Sequence, residues 1–357
     1  MSKTEIVKKK QIPEYDILRV IVTLLVIISH CGYIKIESDY GGFNYSEYAE
    51  NFSLVYRLFR KVVSLLYSFH MPLFMALSGA LYYKSSQKDK YNNFKSLAAV
   101  KFKRLIIPFL TVSLLYSTPL KFASGYFSES ENIFNDIFIG QILVQGNTHL
   151  WYILSLFFIF LFIFLIEKLP KIDWKIKYGI LFLVYIAGNK VPIQLFGYIM
   201  MYSFWFYTGF LFEPIREKYN KKVNIISTVI PLALFLGLYY TNSHFFKDNF
   251  VLKNTSEVLI AFFGMTTTYN VCLLLTNTNI TENKAFKLLA KDSFGMYLYS
   301  DSWNYVILSF AVPYFKSELF TNNAYSLILI VSRILITGII SILVTELLRK
   351  LKLKYLI

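Results

Sequence analysis

The chain is poor in the groups that usually announce a chemistry. Its 357 residues include two cysteines, Cys31 and Cys272, which have neither a metal-binding spacing nor a partner for a disulfide framework. The four histidines, His30, His70, His149 and His244, show no i, i+4 ligand pair, so no metal is expected. Internal repeats and low-complexity tracts are missing, and no loop exceeds roughly thirty residues, which leaves no room for a separate soluble domain. Charged residues are scarce at 17%, and acidic ones scarcer still: 22 Asp and Glu against 37 Lys and Arg.

What remains is apolar. Hydrophobic residues make up 55% of the chain and the mean hydropathy is +0.47, too high for an ordinary soluble domain. Stretches long enough to cross a bilayer recur near 15–34, 62–83, 105–123, 150–168, 176–190, 195–212, 223–241, 256–276, 292–312 and 324–346. The expected fold is all-α: a polytopic integral membrane protein of about ten transmembrane helices, forming one domain over 1–357. A short basic segment, 1–14, precedes them and a basic tail, 347–357, follows. The first apolar stretch follows Lys8-Lys9-Lys10 without a small-residue cleavage pattern, so it reads as a retained anchor.

Charge placement supplies an orientation. Twenty-six of the 37 Lys and Arg fall in segments on one side and 9 on the other; Arg19 and Arg333 lie within helices. Basic residues gather on the cytoplasmic side, which places both termini inside. The net charge of +15 is therefore a topology signal and not a nucleic-acid footprint.

Against this background the polar residues inside apolar segments stand out. Arg19 and His30 are eleven positions apart in the first segment, so they share one helical face about 16 Å apart along its axis. Arg19 alone could snorkel to headgroups, and His30 alone could bond a neighbouring helix. A shared face favours a joint role lining an interior path. Cys31 beside His30 points about 100° away from it, as adjacent helix positions do, and reads as a buried apolar residue.

Four further runs qualify. Phe69-His70-Met71-Pro72 through Ser78-Gly79 can kink and pack closely. Lys103 and Arg104, at the cytoplasmic entry of the third segment, serve as positive-inside anchors or as a phosphate clamp, with Arg104 supplying a planar fork. His149 precedes Trp151 and Tyr152 at the outer start of the fourth segment. Asp301, in Tyr297-Leu298-Tyr299-Ser300-Asp301-Ser302-Trp303, needs a partner at membrane depth, and Arg333 is the natural one. The outer loop near 35–61 carries Glu37, Asp39, Glu47, Glu50 and several tyrosines; it reads as a sugar-binding surface or as a solvated loop.

Arg19 with His30, the Phe69-His70 to Gly79 run, Lys103-Arg104 with Pro108, and His149-Leu150-Trp151 together resemble, in order, the type-3 membrane acyltransferases. The resemblance covers nearly the whole chain. It implies an O-acyltransferase, expected to be an O-acetyltransferase, moving an acyl group from acetyl-CoA or another acyl-CoA to a hydroxyl of a surface or exported polysaccharide. Acyl-CoA would be a co-substrate, with no permanently bound cofactor. His30 and Arg19 would be the essential catalytic pair, Arg104 and Lys103 the donor phosphate contacts, and His149, Trp151, His70 and Asp301 the acceptor side. Expected partners are the bilayer, the glycan and its synthesis machinery, in a cell membrane, expected to be a bacterial cytoplasmic membrane. The chain departs from the family where a ninth-segment histidine is usual and Tyr299-Ser300-Asp301 stands. The usual Glu-x-Pro appears only as Glu346-Leu347-Leu348-Arg349, and the basic pair is thinner than the family's double arginine. The alternative reading is an exporter or accessory translocation protein for a glycan or lipid-linked sugar; a scaffold for a polysaccharide synthase is the third. The absence of a symmetric repeat or paired broken helices weighs against the exporter.

Overall fold

Pro13 opens the first helix, Pro13–His30, where its missing N–H costs nothing, with Glu14 and Asp16 in the favourable first turn. In the computed structural model, residues 12–357 are described apart from 88–90, 92, 145–146, 148, 170 and 247–248. The basic segment 1–11 lies outside the described residues. The architecture is all-α with one small addition: an antiparallel hairpin, Lys35–Ser38 with Gly41–Asn44, registers Lys35 against Asn44 and Ser38 against Gly41.

Helices overlap every apolar window. Five of them, at Leu54–Ser86, Gln194–Asn220, Ile225–Phe245, Val251–Leu275 and Asn323–Lys350, are long and apolar enough to cross a membrane. Trp151–Glu167 is apolar and shorter, and Trp174–Gly188 fills the fifth window. Asn224 and Asn93 start their helices with reciprocal capping boxes to Ser227 and Ser96.

Three details differ from the expected outline. The second window begins earlier, as Leu54–Tyr67, and bends at Ser68-Phe69 before His70–Ser86. The third starts at Phe94 and runs to Ala123 through two widened turns, Phe102–Ile106 and Ser113–Ser117. Each widened turn precedes a proline, Pro108 or Pro119, whose ring would clash with the carbonyl four residues back in a regular helix. The ninth is jointed at Asp301 between Lys284–Ser300 and Ser302–Phe315.

His70–Ser86 and Gln194–Phe212 approach each other with backbones in contact. A Cβ on Gly79 would meet the Phe206 carbonyl oxygen at 1.8 Å, and one on Gly209 the Ala76 carbonyl oxygen at 1.8 Å. Only glycine permits this contact, so Gly79 has the packing role expected of it, and Gly209 is its partner. Beside it, Ser78 and Tyr152 hydroxyls are 2.7 Å apart. Gly79→Ala and Gly209→Ala should each destabilise the protein by about 1–3 kcal/mol, because backbone must move. Thermal unfolding in detergent reads this directly, and wild-type melting of either variant would contradict the packing.

Candidate active site

The first helix stops at His30; turn N–H groups meet the Ile27, Ile28 and Ser29 carbonyls, and the His30 carbonyl has only a long contact from the Tyr33 N–H at 3.4 Å. Arg333, fully buried in the long Asn323–Lys350 helix, closes that end. Its Nη2 donates to the His30 carbonyl at 3.2 Å, Nη1 to the Tyr33 carbonyl at 2.9 Å, and Nε to Asn304 Oδ1 at 2.9 Å. A guanidinium at a helix C-terminus also suits the helix dipole. The expected Arg333–Asp301 ion pair is thus corrected: all three donor directions of Arg333 are taken by oxygens of other residues.

Asp301 pairs instead with two histidines. At the joint of its helix it stands where a capping residue would, yet its side chain caps no backbone group. His30 Nδ1 lies 2.9 Å from its Oδ1 and His149 Nδ1 3.2 Å from its Oδ2, with the carboxylate almost fully buried. These are close contacts that fall short of straight hydrogen-bond geometry. His149 is fixed further by its Nε2 donating to the Leu298 carbonyl at 3.4 Å, while the Tyr297 hydroxyl donates to the His149 carbonyl at 2.6 Å. Both ring nitrogens of His149 therefore face acceptors. His30 differs: beyond Asp301 its ring only stacks on Tyr33, at 5.3 Å between centroids, and Nε2 has no hydrogen-bond partner among the described residues.

A second polar knot lies beside this one. Lys121, fully buried, donates to Asn147 Oδ1 at 2.9 Å and Gln141 Oε1 at 3.3 Å, and sits over the rings of Tyr126 and Tyr305 at 4.9 and 5.0 Å. Ser302, next to Asp301, donates to Ser117 at 3.0 Å, and Ser117 reaches Asn147 at 3.5 Å. Asn147 holds φ of +53°, an uncommon conformation that asparagine tolerates better than most residues. Reading the sequence missed this knot because Lys121 sits at the outer edge of its window and looks like a loop charge.

The other expected residues are placed as follows. His70 donates from Nδ1 to the Leu66 carbonyl at 2.7 Å and packs edge-on against Tyr67; Tyr67 donates to the Tyr33 hydroxyl at 2.9 Å, so His70 stands behind the His30 site. Trp151 lies against Tyr198 and Tyr202, at 4.1 and 4.9 Å. Arg19 is half-exposed and 3.5 Å from Asp16, with no contact to the histidines. Lys103 and Arg104 are exposed on the first widened turn. Beside Lys103 is an apolar hollow of about 320 Å³ lined by Ala98, Ala99, Phe102 and Phe157. Glu346 and Arg349, where the family has Glu-x-Pro, join an ion cluster with Lys291 and Asp292. Among the described residues, no cluster of His, Cys, Asp and Glu has the makings of a metal site.

A buried carboxylate orienting an imidazole whose far nitrogen is free is a device for moving a proton to or from a reacting group. The acyltransferase family model matches residues 12–343. The chain belongs to the type-3 acyltransferase family. No curated protein and no solved structure matches it. Family membership and the apolar helices together make it a multi-pass membrane acyltransferase.

Arg333→Lys keeps the charge but gives up the fork that holds two carbonyls and one amide. Acyl transfer should fall at least about tenfold while the protein remains abundant in the membrane. Full activity of Arg333→Lys would show that the end of the first helix needs no such clamp.

Proposed function

We propose that the protein is an O-acyltransferase, and specifically an O-acetyltransferase, that moves an acyl group from cytoplasmic acyl-CoA to a hydroxyl of a surface polysaccharide. The observation that carries the mechanism is the difference between the two histidines: His149 has acceptors at both nitrogens, whereas His30 is held at Nδ1 by Asp301 and keeps Nε2 for the substrate.

In this mechanism the acceptor hydroxyl oxygen attacks the thioester carbon as its proton passes to His30 Nε2. The carbon–oxygen bond forms and the thioester carbonyl becomes a tetrahedral oxyanion. Collapse breaks the carbon–sulfur bond, and the departing CoA sulfur takes the proton back from the imidazolium. Asp301 holds the ring and offsets its transient charge; such proton transfer typically contributes roughly 10²–10⁴ in rate. Arg19, on the same helical face, orients the incoming pantetheine arm, and Arg104 and Lys103 meet the CoA phosphates at the basic entry. His70, which reaches His30 through Tyr67 and Tyr33, and Trp151, which packs on Tyr198 and Tyr202, belong to the acceptor side.

The orientation belongs to the same reading: ten spans, both termini cytoplasmic, His30 toward the outside. Cysteines at Ser86 and Asn220 should resist impermeant reagents in intact cells, and one at Ser130 should react. The reverse pattern would overturn the cross-membrane route.

His30→Ala and His30→Gln should each remove the ester groups from the surface glycan, a loss of about 100-fold or more, without changing protein abundance or the amount of glycan exported. Asp301→Asn should also lower transfer, because an amide cannot balance an imidazolium. Proton NMR of surface glycan separates this from export: an enzyme alters ester content, an exporter alters yield. Wild-type ester levels in either His30 variant would rule out the general-base role.

A further inference from the structure

Near the His30 site lies a cavity of about 350 Å³, between the bent Leu54–Ser86 segment and the helices Gln194–Phe212, Ile225–Phe245 and Phe250–Leu275. Its walls include Tyr67, Tyr202, Trp205, Tyr239, Asn242 and Glu257. The volume is at the low end of ligand pockets, which run from about 300 to 1,000 Å³, so it suits one small cyclic unit and not a whole CoA.

Two wall groups are left with spare hydrogen-bonding capacity. Glu257 is partly buried yet makes no hydrogen bond or ion pair among the described residues. Asn242 accepts from the Ser256 hydroxyl at 2.6 Å through Oδ1, which leaves its amide N–H groups without a protein partner among the described residues. The cavity thus offers a carboxylate acceptor and an amide donor beside aromatic faces. Tyr239 is fixed by donating to Ser64 at 2.7 Å, so its ring is held in place. Neighbouring hydroxyls on a ring with apolar faces match this set, each hydroxyl able to donate and accept. A lipid tail would leave the carboxylate and amide unsatisfied.

The cavity also borders the reacting centre. Tyr67 is in its wall and donates to Tyr33, whose ring stacks on His30. Tyr202, in the same wall, packs against Trp151. Two side chains therefore separate the cavity from the imidazole, too far for its occupant to be the acylated sugar and near enough for the neighbouring one.

We propose that this cavity is a carbohydrate subsite that holds the sugar unit adjacent to the one acylated, through hydroxyl contacts to Glu257 and Asn242 and packing on Tyr202 and Trp205. The proposal rests on the acyltransferase reading above. It makes the protein a reader of glycan sequence: the acceptor must be at least two units long to use the subsite.

The test uses full-length protein in lipid nanodiscs, acetyl-CoA, and oligosaccharides of one and two units cut from de-esterified surface glycan of the producing cell. Wild-type protein should show a higher kcat/KM on the two-unit acceptor. In Glu257→Gln and Asn242→Ala the ratio of two-unit to one-unit kcat/KM should fall roughly 3- to 10-fold each, the worth of one hydrogen bond. A wild-type ratio in both variants, a wild-type enzyme indifferent to acceptor length, or an equal loss on both acceptors would overturn the subsite and leave the acyltransferase reading intact. Wild-type protein that acylates neither acceptor would overturn the acyltransferase reading itself.

Discussion

The structure of the site depends on one buried carboxylate. Asp301 is about 1% exposed, and an ionised carboxyl out of water is tolerated only among groups that answer its charge. Two imidazoles do so, and they come from distant parts of the chain: the end of the first helix and the segment before Trp151. Burying the carboxylate thus brings together three elements that local propensity would leave apart. The joint in its helix lets this happen, because Asp301 stands at a helix start and still spends no oxygen on capping backbone amides.

Arg333 shows why the charges must be kept separate. A bidentate guanidinium is the strongest partner a carboxylate can have, and a direct Arg333–Asp301 pair would leave neither imidazole oriented. The guanidinium is instead used up on the carbonyls of His30 and Tyr33 and the amide of Asn304. That positions His30 through its backbone while Asp301 positions it through its ring. Asn304 is tied back to Asp301 by its own N–H donating to the Asp301 carbonyl at 2.8 Å, so the two holds are mechanically linked.

Much of this was legible in the residues and some of it was not. Apolar windows mark helices because a membrane demands satisfied backbone, and each window is helical. His30, His149 and Asp301 were each visible as polar groups in apolar surroundings, but their meeting depends on tertiary arrangement that spacing does not encode. The Arg333–Asp301 pairing was a charge-matching argument, and it failed because the His30 and Tyr33 carbonyls and the Asn304 amide oxygen take the same guanidinium. Lys121 was hidden by position, and the widened turns by their dependence on proline ring sterics. Lys101 is a similar case: next to the exposed Lys103 and Arg104, it is buried over the Phe160 ring at 3.3 Å. A run of basic residues cannot reveal which member turns inward.

The two ends of the first helix are built on opposite principles. At its start, Glu14 and Tyr15 join Arg216, Glu213 and Asn220 in a cross-helix cluster where every charged group has a partner. Such a saturated cluster fixes geometry and leaves nothing free to react. Near its other end the Asn147 amide nitrogen and His70 Nε2 are buried without a hydrogen-bond partner among the described residues, and His30 Nε2 makes no hydrogen bond among them. Unpaired buried polar atoms are costly, at about 1–3 kcal/mol each, and a fold retains them where a ligand completes them. The two ends of the first helix therefore differ physically, and a reaction at His30 rests on that difference: rigid where the helix is anchored, incomplete near His30, where a substrate would finish it.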